Sequence, residues 1–201
     1  MFYIGAKMKY FVDFGCYIGK MIDLAIKTYR DCDLYIGFEP IPLLAKKLKL
    51  KYNSNPKVIV KAIAVDTSSN NCKFFLSRCA RLQHKFGEGS TMFPDKATNN
   101  INKNDFIRVP TIDAAQFLRE LCYPDNRVIL KIDIEGKEYD VLEHLIKTGG
   151  IGFIESLFVE WHYDRIPSIS KSRHDALVAQ LNKLGFPLSG TDADAFDKKV
   201  R

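Results

Sequence analysis

The chain has 201 residues, enough for one compact domain with a sizeable core. Hydrophobic residues make up 46%, which excludes a disordered chain, and no apolar run reaches membrane-spanning length. The net charge of +6 leaves nucleic acid, an anionic surface and a phosphorylated substrate all open and chooses none of them.

Short apolar runs alternate with segments of helical period, which predicts βα units around a parallel sheet. Tyr10–Val12 is the first predicted strand and leads into Asp13. Ile18, Met21, Ile22, Ala25, Ile26 and Tyr29 then recur at helical spacing. Leu34–Phe38 is a second strand, and a helix opening after Pro42 places Leu44, Leu48 and Tyr52 on one side. The interleaved Lys46, Lys47, Lys49 and Lys51 read as a solvated face with snorkelling stems, not as a nucleic-acid stripe. Strands are expected at Val58–Val60 and Cys72–Leu76. From Arg78 to Asp105 no period survives, and a stretch of that length is expected to be functional or disordered. Phe106–Pro110 is extended, and Asp113 caps a helix carrying Phe117, Leu118 and Leu121. Val128–Asp133 is the clearest buried strand. A helical face (Val141, Leu142, Leu145, Ile146), a strand (Ser156–Trp161) and a helix (Leu177, Leu181, Leu184) follow, with weaker strand signals near Phe186 and Phe196.

The N-terminal MFYIGAKMKY lacks the order of a signal peptide, and Cys16, Cys32, Cys72, Cys79 and Cys122 form no C-x-x-C pair. They read as reduced thiols of a cytoplasmic protein, neither a disulfide framework nor a zinc site.

Two constellations carry chemistry. The first is V-D-F-G-C-Y-I-G-K at the first strand-to-helix junction, where open α/β sheets bind ligands. Gly15 and Gly19 give D-x-G-x-x-x-G. A dinucleotide fingerprint would need glycines where Tyr17 and Lys20 stand, so a ligand without a pyrophosphate fits better, and S-adenosylmethionine is one. Glu39, twenty residues beyond Gly19, ends the second strand and can accept both hydrogen bonds of a ribose diol. The second constellation is the strand end L-K-I-D-I-E-G-K-E, with Lys131, Asp133 and Glu135 on one side, beside V-E-W-H with Glu160 and His162. If those strands are neighbours, Asp133, Glu160 and His162 converge on the edge that holds Gly15. His162 or Asp133 is then a candidate base, with Glu160 orienting the imidazole. Alternatively, Asp133, Glu160 and His162 could hold a divalent Mg²⁺ or Mn²⁺.

On V-D-F-G-C-Y-I-G, G-F-E-P, A-I-A-V-D, L-K-I-D-I-E-G-K-E-Y-D-V-L and F-V-E-W-H, in that order from Val12 to His162, the sequence resembles the FkbM-type methyltransferase family. The resemblance implies a Rossmann-like, doubly wound, mostly parallel seven-stranded sheet with one antiparallel strand. It implies O-methylation by S-adenosylmethionine of a sugar or polyketide hydroxyl, often a deoxyhexose (rhamnose- or fucose-like) of a glycan. By position it assigns Asp13, Gly15, Cys16 and Gly19 to the methionine end of the cofactor, Glu39 and Pro40 to its ribose, and Ala64 to the neighbourhood of the adenine. Asp133 would stand beside the methyl, with Ser90, Lys131 and Glu135 on the acceptor side. Residues 1–201 read as a single domain. The abrupt start, with no N-terminal cap, is read as that of a domain cut from a longer protein with other glycan-modifying domains. Rival readings are an RNA methyltransferase and a nicotinamide-dependent oxidoreductase; Tyr17 and Lys20 count against the latter, and the lack of a basic stripe interleaved with aromatics counts against nucleic acid as a partner.

Overall fold

The computed structural model describes residues 7–77, 87–98, 101–122 and 125–191. Five strands form an all-parallel sheet: β1 (Lys9–Phe14), β2 (Leu34–Phe38), β3 (Val58–Lys61), β7 (Arg127–Ile132) and β8 (Ile154–Val159), in the order β3-β2-β1-β7-β8. The connecting helices are α1 (Lys20–Thr28), α2 (Pro42–Lys51), α3 (Ala114–Cys122) and α4 (Glu138–Thr148); α5 (Lys171–Lys183) follows β8. Between β3 and α3 the chain adds β4 (Ala64–Asp66), β5 (Asn71–Phe75) and β6 (Phe106–Asp113), a separate three-stranded sheet in which β6 pairs parallel with β4 and antiparallel with β5.

Helices cover both faces of the main sheet, so its strands read as continuous apolar runs whose neighbours face opposite ways. Val12, Ile36 and Leu130 pack with Leu142, Leu145, Leu177 and Leu181 on one side; Phe11, Tyr35 and Ile129 pack with Ile22, Ala25 and Leu48 on the other. Asp113 caps α3 as expected, accepting from the Ala115 and Gln116 N–H groups at 2.8 and 3.0 Å.

The sheet differs from expectation at two places. Ala64–Asp66 forms a strand too short to give a periodic signal, and among the described residues no strand extends the main sheet beyond β8. Phe186 instead bonds back to the end of α5 (its N–H to Leu181 O, 3.0 Å) and packs on the core, while Phe196 lies outside the described residues. The mostly parallel α/β architecture is present, and among the described residues its main sheet has five strands where seven were expected. Cys16, Cys32, Cys72 and Cys122 are free thiols; Cys79 lies outside the described residues. Among the described residues no helix is long and apolar enough to cross a membrane.

Candidate active site

The chain order reverses direction between β1 and β7: β2 and β3 lie to one side of β1, and β7 and β8 to the other. In open α/β sheets ligands bind at the carboxyl edge of such a switch point. Here backbone bonds carry the ladder past the strand ends: Gly15 and Cys16 donate to Phe38 O, Glu39 to Lys61 O, Asp133 to Phe14 O and Glu160 to Ile132 O, all within 2.9–3.1 Å. Gly15, Glu39, Asp133 and Glu160 thereby surround one cavity, which is also lined by Tyr17, Pro40, Ala64, Ser90 and Glu135.

Gly15 is required by close approach. Its φ is +90°, and a Cβ there would fall 1.8 Å from the Asp133 carbonyl oxygen. Glu39 is buried, and its Oε1 accepts the Ile41 N–H at 2.8 Å. Burial pushes its carboxyl up to about 8, against the pull of the Ile41 and Tyr17 N–H groups.

Asp13, Gly37 and Lys131 stand abreast in register on β1, β2 and β7. The Lys131 ammonium lies 3.3 Å from Asp13 Oδ1 and 3.0 Å from Asp133 Oδ2, and donates to Gly15 O at 3.3 Å. Burial disfavours its charge, but Asp13 and Asp133 outweigh that and hold it above the ordinary lysine range. Burial pushes the Asp13 carboxyl up, whereas for Asp133 the lysine overcomes burial and lowers it. Lys131, expected on the acceptor side, is thus a buried tie between strand ends and does not line the cavity. Asp13, Cys16 and Gly19 do not line it either. Cys16 packs on Gly37, and Gly19 caps α1 with φ +80° where a Cβ would meet the Tyr52 hydroxyl at 2.4 Å. These residues support the loop from behind.

β7 and β8 are parallel neighbours, with Ile132 opposite Val159, so the second constellation does assemble. Its internal order differs from expectation. Strand β7 ends at Ile132, and Glu135 reaches the site from a turn with φ +56° rather than from a shared strand face. The imidazole of His162 is oriented by Glu138, not Glu160: Nδ1 lies 3.0 Å from Glu138 Oε1. Glu138, fully buried at the head of α4, also accepts the Ile134 and Gly136 N–H groups at 2.9 and 2.8 Å. His162 is itself fully buried and absent from the cavity wall. Burial pulls its pKa down, but Glu138, Glu135 and Asp133 push it up to about 10, which favours the imidazolium form. Glu160 does line the cavity, and burial together with the Asp133 charge pushes it up to about 7. The cluster whose ligand atoms lie within 4.8 Å of one another is Asp133, Glu135 and His162; Glu135 takes the place expected for Glu160.

The stretch without periodicity contributes two residues: Thr91, in the Gly89-Ser90-Thr91 turn that the family resemblance puts near the active site, and Lys96, which carries no signal in the sequence. Thr91 bridges to Phe75 and donates its hydroxyl to Glu135 O at 2.6 Å. Lys96, buried, donates to Gly89 O at 2.9 Å and forms an ion pair with Glu135.

The model of the FkbM methyltransferase domain matches residues 13–188. The chain belongs to the FkbM methyltransferase family. The segment matched runs from Asp13, near the end of β1, to Leu188 beyond α5 and so contains every cavity residue named above. Among solved structures, the chain is similar to methyltransferase FkbM from Methylobacillus flagellatus KT, at 13% identity and a TM-score of 0.51, covering 89% of this chain and 37% of that one. It therefore spans little more than a third of that relative's length, and the likeness shows the family's fold. A second similarity, to yeast methylglyoxal/isovaleraldehyde reductase Gre2, has 16% identity and a TM-score of 0.34, covering 76% of this chain and 36% of that one. No curated protein matches the chain.

Proposed function

We propose that this FkbM-family chain transfers a methyl group from S-adenosylmethionine to a hydroxyl oxygen of a sugar, a deoxyhexose of a glycan. One observation carries the reading: the cavity at the switch point is lined by Glu39, Glu88, Asp133, Glu135 and Glu160 and, among the described residues, by no lysine or arginine. Such a wall repels the pyrophosphate of a nicotinamide dinucleotide and the backbone of RNA, and it attracts a sulfonium. Apolar side chains of Ile41, Ile63, Phe74 and Met92 supply a surface for an adenine. Glu39 faces the ribose diol, and the carboxylates accept from sugar hydroxyls.

In the transfer, a lone pair of the acceptor oxygen attacks the methyl carbon. The bond from carbon to sulfur breaks with its electrons returning to sulfur, and the hydroxyl proton leaves to a carboxylate. Alignment supplies most of the acceleration. Glu160 is our choice of base. Asp133 already accepts from Lys131 and Glu135 pairs with Lys96, whereas the cations nearest Glu160 stand at 3.8 Å (His162) and 3.9 Å (Arg165). The free thiols support a reducing compartment, the cytoplasm.

Calorimetry with S-adenosylmethionine and its demethylated product, followed by an acceptor screen that reads out that product, tests the reading. Binding of both cofactor forms is expected. If neither binds, the methyl-transfer reading is lost.

A further inference from the structure

His162 lies behind the cavity wall, yet one of its nitrogens faces the carboxylates that form that wall. Glu138 is the reason. Both of its oxygens accept backbone N–H groups, so the carboxylate cannot turn, and Oε1 also holds His162 Nδ1. Nε2 is thereby aimed at Glu135 Oε2, Glu160 Oε1 and Asp133 Oδ1, at 3.2, 3.8 and 3.9 Å. It is buried and has no hydrogen-bond partner among the described residues. Charge alone holds this nitrogen, in the ion pair with Glu135 and without an aligned hydrogen bond, which leaves its lone-pair direction available to a ligand.

Glu135 is built for the same point. Its φ of +56° is a left-handed conformation that a side-chain-bearing residue adopts at a cost, and the Thr91 hydroxyl fixes its carbonyl. Asp133 divides its oxygens, Oδ2 to Lys131 and Oδ1 toward His162.

We infer that Asp133, Glu135 and His162 form a binding site for a divalent cation of the Mg²⁺ or Mn²⁺ kind. Their ligand atoms lie within 4.8 Å of one another. Octahedral bonds of about 2.1 Å place neighbouring ligands roughly 3.0 Å apart and opposite ones roughly 4.2 Å apart. The separations of 3.2 and 3.9 Å from Nε2 fall in that interval. One imidazole nitrogen with two carboxylates suits these ions, and three protein ligands leave positions open for water or an acceptor oxygen. The pair Glu138–His162 is the carboxylate–histidine support that metal-binding imidazoles use. Binding releases the proton that Nε2 otherwise carries, and the cation competes with Lys96 for Glu135. Its use, to polarise the acceptor hydroxyl, depends on the methyl-transfer reading, but its binding does not.

The test is a Mn²⁺ titration of the full chain, followed by electron paramagnetic resonance and calorimetry, without cofactor or acceptor. One Mn²⁺ site is expected. It should be lost in His162→Ala and in Glu135→Gln, weakened about 10–100-fold in Glu138→Gln, and retained in Glu160→Gln. Because His162 is fully buried, Glu135→Gln on the cavity wall, checked for retained circular dichroism, keeps the test decisive if the alanine variant does not fold. The inference is overturned if the wild-type chain holds no Mn²⁺, or if Glu135→Gln binds it as tightly as the wild type. A chain that binds S-adenosylmethionine but no Mn²⁺ keeps the methyl-transfer reading and loses this one; the opposite pattern reverses that outcome.

Discussion

Replacing Glu39 by glutamine tests the assignment of the ribose partner through its titration. The carboxyl is buried at the end of β2, and its pKa is pushed from 4.5 up to about 8. A carboxyl whose folded-state pKa lies above its unfolded value supports folding below the unfolded pKa, and that support is lost as pH rises through the folded one. The window runs from about 4.5 to about 8. At about 1.4 kcal/mol per pH unit, roughly 5 kcal/mol of stability is lost across it, about 3 of them by pH 7. Glutamine keeps the shape and can still accept the Ile41 N–H, but it does not ionise. Urea unfolding of both proteins at pH 5, 7 and 9 should therefore show the variant gaining on the wild type as pH rises.

The same residue predicts the opposite trend for the cofactor. A ribose diol donates to the carboxylate and so selects its ionised form. Between pH 7 and 9 the affinity of the wild type for S-adenosylmethionine should rise roughly tenfold, while that of Glu39→Gln stays flat and lower. Calorimetry at the two pH values reads both. A stability difference between the proteins that does not change with pH would refute the buried-carboxyl argument. A pH-dependent cofactor affinity that survives in the glutamine variant would refute Glu39 as the ribose partner.

Three further outcomes are expected. Lys131→Met leaves Asp13 buried without its cation and removes one partner of the partly exposed Asp133, and should cost about 3–5 kcal/mol in urea unfolding; a loss below about 1 kcal/mol would show that the tie contributes little. Gly15→Ala drives a Cβ into the Asp133 carbonyl from a φ of +90°, and should cost on the order of 2–4 kcal/mol, with cofactor binding lost even in the folded fraction. Glu160→Gln should slow methyl transfer in single-turnover assays about 10²–10⁴-fold while S-adenosylmethionine still binds; an unchanged rate would move the base elsewhere.

The main sheet was legible because its strands are buried on both faces and therefore read as unbroken apolar runs: Leu34–Phe38 and Val128–Ile132 could hardly be anything else. The edge of the cavity was legible for a related reason, since Glu39, Asp133 and Glu160 are charges that terminate such runs. What lay beyond reach was distance in space. Period-2 logic placed Glu135 beside Asp133, but the chain leaves the strand at Ile132 and brings Glu135 in through a left-handed turn. Thr91 and Lys96 sit in a stretch without periodicity, and only tertiary packing brings them to Glu135. Glu138 did carry a signal, an acid just after Gly136 at a helix start, but helix N-termini favour acids for their own sake. For the same reason the inner side of the glycine loop was not legible. Asp13, Cys16 and Gly19 look like ligand contacts in sequence, yet the fold turns them inward, against Lys131, Gly37 and Tyr52.

That inward turn bears on why the site holds so much charge. Asp13, Glu39, Asp133, Glu135, Glu138 and Glu160 gather at one sheet edge, against Lys96, Lys131 and His162. Ion pairs of this kind add little to stability compared with apolar side chains of the same volume, and burial, with a smaller contribution from Asp13 and Asp133, raises the pKa of Glu39. A surplus of carboxylates held by buried lysines is poorly suited to a structural core. On the proposed function and the proposed cation site, it suits a site that receives positive charge from outside, first from a sulfonium near Asp133, then from a cation held by Asp133, Glu135 and His162. On this argument the two ligands relieve the same electrostatic cost. Each should therefore bind more tightly in the presence of the other wherever the carboxylates they share outweigh their mutual repulsion, and a titration of S-adenosylmethionine with and without Mn²⁺ measures which of the two terms wins.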